Sequence, residues 1–209
     1  VRSVGHVYTP SAMGGDMVEG AARETGRSPE RVVDPGLGSG RFLMLAAKVF
    51  RNAHLVGAEI DPLAVQILRA NAAVAGFADR LTVHCGDYRT LELAPIEGRT
   101  LFIGNPPYVR HHQITSDAKT WFAASARRHG LRASKLAGLH IHFFLRTREL
   151  ARLGDFGAFI TASEWLDGNY GSGVRQLLSG SLVGCAVPIR DPTPRAFREP
   201  ISPLHLAPF

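Results

Sequence analysis

Short apolar runs alternate with longer stretches of helical spacing along most of the chain. Arg31-Val32-Val33-Asp34 is a short run that breaks at glycines, and Arg41 to Phe50 then repeats apolar residues at three- and four-residue intervals. His54 to Glu59 predicts a second strand ending in an acid. Asp61-Pro62 opens the next helix, with Asp as the cap and Pro in the first turn, and that helix runs to about Gly76. Arg80 to Cys85 predicts a third strand, closed by Gly86-Asp87-Tyr88, and Thr100 to Gly104 a fourth. Further on, Ser134 to Arg152 reads as a long helix and Phe156 to Thr161 as a fifth strand. Gly173 to Leu178 then reads as a helix and Leu182 to Val187 as a sixth strand. Near the amino end a helix is expected to begin at Ser11 or Ala12. This alternation predicts an α/β fold, a doubly wound and mostly parallel sheet with helices on both faces. Pro188 to Phe209 carries six prolines and no period, so residues 1–187 form the expected domain and 188–209 an irregular tail.

Composition changes this picture little. At 209 residues the chain fits one domain with a sizeable core, and no apolar run reaches the roughly 18 residues a membrane span needs. The amino end shows no secretory signal, and Cys85 and Cys185 make no disulfide framework, which together predict a reducing, cytoplasmic setting. The nine histidines form no metal signature: His111 and His112 are adjacent, and His140 and His142 are two apart, so neither pair shares a helical face. No metal is expected. A net charge of +6 favours a polyanionic partner such as nucleic acid. Arg127-Arg128-His129, with Arg132 and Lys135, reads either as a solvated helix face or as a phosphate-contacting patch.

The candidate chemistry sits at the ends of the strands. Asp34-Pro35-Gly36-Leu37-Gly38-Ser39-Gly40 lacks the Gly-Lys-Ser/Thr of a phosphate loop and is G-x-G-x-G, not G-x-G-x-x-G. An acid before the glycines would repel a pyrophosphate but suits a cationic amine. Glu59 ends the second strand, where it can accept hydrogen bonds from both hydroxyls of a ribose. Asp87 ends the third, placed to accept from an adenine amino group, with Ile60 and Tyr88 sandwiching the ring. All three acids lie at the carboxyl edge, where open α/β sheets bind ligands. The cofactor that matches is S-adenosylmethionine. The fourth strand ends in Asn105-Pro106-Pro107-Tyr108. Each proline fixes its own φ and extends the residue before it, so the loop is rigid. It sets the Asn105 side-chain oxygen and the Pro106 carbonyl beside an aromatic ring, an arrangement suited to a planar –NH2 group.

The order Tyr8-Thr9-Pro10, the Asp34 glycine loop, Glu59, Asp87, then Asn105 to Tyr108 resembles the gamma-class N6-adenine DNA methyltransferases of restriction–modification systems. The resemblance covers roughly residues 3–187, taking in Leu139 to Leu145, Gly157 to Leu166 and Asn169-Tyr170-Gly171. It implies a Rossmann-like, S-adenosylmethionine-dependent methyltransferase fold. Tyr8, Thr9 and Pro10 would lie near the methionine part of the cofactor, and Asp34, Gly36, Gly38, Gly40, Glu59, Ile60, Asp87 and Tyr88 would hold the remainder. Catalysis would fall to Asn105, Pro106, Pro107 and Tyr108, acting on a DNA adenine flipped out of the duplex.

Members of that family continue into a target-recognition domain, and here the chain reads as stopping before one, with Phe197 the candidate for the aromatic that packs on the far face of the flipped base. A separate target-recognition chain would then supply the missing contacts. Glutamine N5-methylation and RNA methylation pose the same –NH2 problem and remain alternatives. So does a non-catalytic module that needs a partner.

Overall fold

The computed structural model describes residues 11–25, 28–131, 137–160 and 207–208. Five parallel strands form the body of one sheet: β1 Arg31–Asp34, β2 His54–Glu59, β3 Leu81–Cys85, β4 Thr100–Gly104 and β5 Phe156–Phe159. A two-residue strand, β6 Ala207–Pro208, pairs antiparallel to β5, giving the order β3-β2-β1-β4-β5-β6. The helices are α1 Ser11–Thr25, α2 Arg41–Val49, α3 Pro62–Val74, α4 Ser116–Arg128 and α5 Leu139–Leu150.

Alternation along the strands sorts the core into two faces. Val32, Leu55, Leu101 and Ile103 join Met17, Val18, Leu43, Ala46 and Leu68 of α1, α2 and α3. Val33, Val56 and Phe102 face the other way, onto Tyr88, Leu91 and Phe143 of α5. A third cluster, Phe122, Ala126, Ile141 and Leu145, holds α4 against α5. The central strands β1 and β4 are buried throughout because both their faces are covered, which is why they read as unbroken apolar runs. Among the described residues no helix is long and apolar enough to cross a membrane.

Glycine matters at two packing points. A Cβ on Gly57 in β2 would fall 1.6 Å from Leu37 Cδ1, so the glycine loop closes onto the sheet only because β2 is bare there. Gly40, the cap of α2, has φ 73°, and a Cβ there would lie 2.4 Å from Leu68 Cδ1. The cap of α3 forms as expected, with the Asp61 carboxylate accepting from the Leu63 amide at 2.9 Å and Pro62 in the first turn.

Several boundaries differ from the expectation. The third strand starts at Leu81, not Arg80, because Arg80 ends a 3₁₀ turn and its guanidinium donates to the carbonyls of Ala47, Phe50 and Ala53 at the end of α2. The long helix is described from Leu139 to Leu150, entered from an extended Gly138 and left through an extended Ala151. β5 ends at Phe159, short of Thr161, and the Ile160 amide donates to the Gly104 carbonyl. In the tail, Ala207 and Pro208 are not irregular: they pair with Gly157 and Phe156 on the outer edge, where proline's missing donor is tolerated. The helix expected at 173–178, the strand at 182–187, and Phe197 lie outside the described residues. Of α4, only a helix face at Arg127 to His129 was among the expectations; Thr115 caps the helix by accepting from the Ala118 amide.

Candidate active site

The strand ends and the loops that follow them enclose a cavity of about 240 Å³. The glycine loop contributes Gly36 and Gly38, β2 and its exit contribute Glu59 and Ile60, and the turn after β3 contributes Asp87, Tyr88 and Arg89. Asn105 and Pro107 line the same space, so the amide-bearing loop and the acids of the first three strands open onto one cavity. The lining is completed by Val109, Gln113, Ile114, Thr115 and Ala118, with Leu139 and Phe143 of α5. Sequence reasoning missed residues 109–118 of this lining because they belong to the loop before α4 and to the first turn of that helix.

Asp34 is fully buried, just before the lining residues Pro35 and Gly36. Its Oδ1 accepts from the Gly36 amide at 3.3 Å, whereas its Oδ2 has no hydrogen-bond partner. Burial lifts this carboxyl to about 8, against the pull of the Gly36 hydrogen bond and with a further push from the Glu59 carboxylate. Near neutral pH the acid is therefore largely protonated. Gly104 makes room for it, since a Cβ there would come 2.7 Å from Asp34 Oδ1.

Glu59 bridges two backbone segments. Its Oε2 accepts from the Gly38 amide at 2.8 Å and its Oε1 from the Asp61 amide at 3.0 Å, which ties the glycine loop to the start of α3. Ile60 beside it is 64% exposed, an apolar lip on the cavity. Asp87 accepts from the Arg89 amide and Nε, both at 2.9 Å, and pairs with Arg89 Nη2. Burial pushes the Asp87 carboxyl up, but these Arg89 contacts outweigh it and hold it below its ordinary value.

Tyr88 is placed differently from the expected sandwich. Its ring is 2% exposed and stacks on Phe143 at 5.2 Å between centroids, and its hydroxyl hydrogen-bonds Thr147 Oγ1 at 2.9 Å. It is a floor under the cavity, with burial raising its phenol pKa, and not a plate opposite Ile60. Other apolar side chains lining the cavity are Val109, Ile114 and Leu139.

In the tetrapeptide, Pro106 is buried and Tyr108 half-buried. The Tyr108 hydroxyl donates to the Ile160 carbonyl at 3.2 Å, and its ring lies 5.9 Å from that of His140. Burial lowers His140 to about 4, so the ring beside the loop is neutral. Gly40, Asp34, Pro106 and Tyr108 are not among the lining residues, and Tyr8, Thr9 and Pro10 lie outside the described residues. Of the basic residues, Arg128 and His129 pack on Glu149 of α5, and Arg132 and Lys135 lie outside the described residues.

A parallel sheet carrying its candidate site at the carboxyl ends of β1, β2, β3 and β4 has the Rossmann-like architecture found in solved S-adenosylmethionine-dependent methyltransferases. The sequence agrees: residues 27–99 match the methyltransferase domain family, and residues 97–182 the Eco57I restriction-modification methylase family. The chain is 52% identical over 193 residues to the type II methyltransferase M.XamI of Xanthomonas campestris pv. amaranthicola, covering 92% of this chain and 36% of that protein. The likeness to restriction–modification methyltransferases, read from the motif order, agrees with these matches. The chain thus spans about a third of that relative's length. It is also 33% identical over 101 residues to a tRNA1(Val) (adenine(37)-N6)-methyltransferase of Porphyromonas gingivalis, covering 47% of this chain and 40% of that one. Among solved structures, the type I restriction-modification system methyltransferase subunit from Streptococcus thermophilus shares the fold, with a TM-score of 0.70 and 19% identity, covering 98% of this chain and 45% of that one.

Proposed function

We propose that the chain transfers a methyl group from S-adenosylmethionine to the N6 amino group of adenine in DNA. The observation that carries this reading is the shared cavity: Gly36, Glu59 and Asp87 line it together with Asn105 and Pro107.

The donor set fits the cofactor. The Asp34 carboxyl, buried with an unpartnered Oδ2, is a built receptor for a cation. Glu59 offers lone pairs to a ribose diol, and Asp87 an acceptor to an amino group. S-adenosylmethionine, when bound, supplies an electrophilic methyl group on a sulfonium. Everything else falls to the chain. Asp34 gives up its proton and compensates the positive charge. Ile60 covers one face of the purine. The Asn105 side-chain oxygen and the Pro106 carbonyl accept the two N6 hydrogens of the target, which draws the nitrogen lone pair out of conjugation. Tyr108 stacks on the target base, a contact worth about 1–3 kcal/mol. The adenine reaches this loop only when swung out of the duplex. Positioning supplies much of the acceleration, and the proton leaves after the transfer without a dedicated base. A target-recognition element completes DNA binding, and the setting is the cytoplasm.

The test is transfer of label from methyl-labelled S-adenosylmethionine to mixed duplex DNA, read as N6-methyladenine after nucleoside digestion. Label that disappears in Asn105→Ala supports the reading. Cofactor binding with label only in RNA or in protein glutamine would overturn the DNA substrate.

A further inference from the structure

We infer that Arg89 is a positioning residue that fixes Asp87 as a single-site acceptor for an exocyclic amino group of the bound nucleoside. The inference rests on the cofactor reading above and adds to it a residue that the motif order does not contain.

An ionised carboxylate has about four lone-pair sites. At Asp87, Oδ1 accepts from both the Arg89 amide and Arg89 Nε at 2.9 Å, and Oδ2 pairs with Nη2. Three sites are thus occupied from within the turn, and the fourth, on Oδ2, is left for a donor in the cavity that Asp87 lines. One remaining acceptor matches one N–H of an aminopurine. An oxo group at the same position would bring oxygen against carboxylate.

The clamp is itself held. The Arg89 guanidinium lies 5.9 Å from the Trp121 ring centroid of α4. His142 of α5, 1% exposed, stacks on Phe122 at 4.5 Å and on Trp121 at 6.1 Å, which fixes the aromatic layer behind Arg89. The groups facing the pair are therefore Trp121 and Phe122 from α4 and His142 from α5. Burial lowers His142 to about 4, so no second cation competes for Asp87 near neutral pH. α4 acts on the nucleoside through Arg89 as well as through the cavity wall.

The test is titration calorimetry of the full chain with two probes: S-adenosylhomocysteine and S-inosylhomocysteine, whose 6-amino group is replaced by oxygen. The unsubstituted chain should prefer the amino ligand by about 10- to 100-fold. Arg89→Met should shrink that preference to within about 3-fold, Arg89→Lys should restore part of it, and Asp87→Asn should abolish it on its own. Circular dichroism checks that each variant folds. Equal weakening of both ligands by Arg89→Met, with the preference intact, would overturn the positioning role and leave the cofactor site standing. So would equal binding of the two probes by the unsubstituted chain. No binding of either probe would overturn the cofactor reading and this inference with it.

Discussion

On the β1–β2–β3 side of the molecule the acids are held by nearby backbone amides. Gly36 donates to Asp34, Gly38 and Asp61 to Glu59, and the Arg89 amide to Asp87. On the β4–β5 side the contacts run between side chains, most of them on different helices. Glu149 of α5 pairs with Arg128 at 2.8 Å and accepts from Ser125 of α4, and Arg146 of the same helix joins it at 3.0 Å. Tyr88 likewise reaches Thr147 across 59 residues. The first side is thus shaped by turns and missing Cβ atoms. The second is shaped by a polar and aromatic layer that exists only once α4 and α5 have docked. A site built from both inherits a backbone-defined half and a docking-defined half.

The largest expected effect breaks the chemistry without touching either scaffold. Asn105→Ala should lower the methylation rate by about 100- to 1,000-fold, as for removal of one polar partner of a reacting group, with cofactor affinity unchanged by calorimetry. Next comes the backbone-defined half. Gly57→Ala drives a methyl into Leu37 and should cost about 3 kcal/mol in urea unfolding, with cofactor binding lost alongside stability. Glu149→Ala leaves Arg128 and Arg146 without their shared partner and should cost about 2 kcal/mol, smaller because Arg128 is exposed. A cost from Glu149→Ala equal to that of Gly57→Ala would remove the distinction between the halves.

The pH dependence separates the halves by sign. Asp34 binds a proton in the folded chain up to about 8 but only to near 3.8 when unfolded, so its contribution to stability falls as pH rises through that window. His142 is neutral in the fold down to about 4 but charges near 6.5 when unfolded, so its contribution falls as pH drops through that window. Asp34→Asn should raise the Tm on the alkaline side, and His142→Phe should flatten the acid side. His140, lowered to about 4 by burial, keeps part of the acid slope in that second variant. Thermal melts from pH 4 to 8 read both.

The same division explains what the sequence discloses. β1, β2 and β4 are short apolar runs covered on both faces, and Asp61-Pro62 is a local cap, so pattern and propensity agree there. The acids at the strand ends were legible for the same reason. α4 was not, because only Ala118, Phe122, Ser125 and Ala126 of its thirteen residues are buried, too thin a stripe for periodicity to register. Tyr88 follows Asp87 in sequence and so read as part of the cavity wall, but its burial is decided by Phe143 and Thr147, a helix later. Arg89 went unread although its grip on Asp87 is local, because an arginine two residues after an acid is common on any surface.

β1 and β4 are neighbours in register, Val33 beside Phe102, and Gly104 leaves Asp34 pressed against the fourth strand's end. Parallel strands lie about 4.8 Å apart, a backbone dimension that contains no side chain. The sheet therefore acts as a ruler between the Asp34 carboxyl on one strand and the Asn105 loop on the next, the cation receptor and amine acceptor of the proposed function. Rebuilding the loops beyond β4 would change what is presented to that ruler, while its length stays constant.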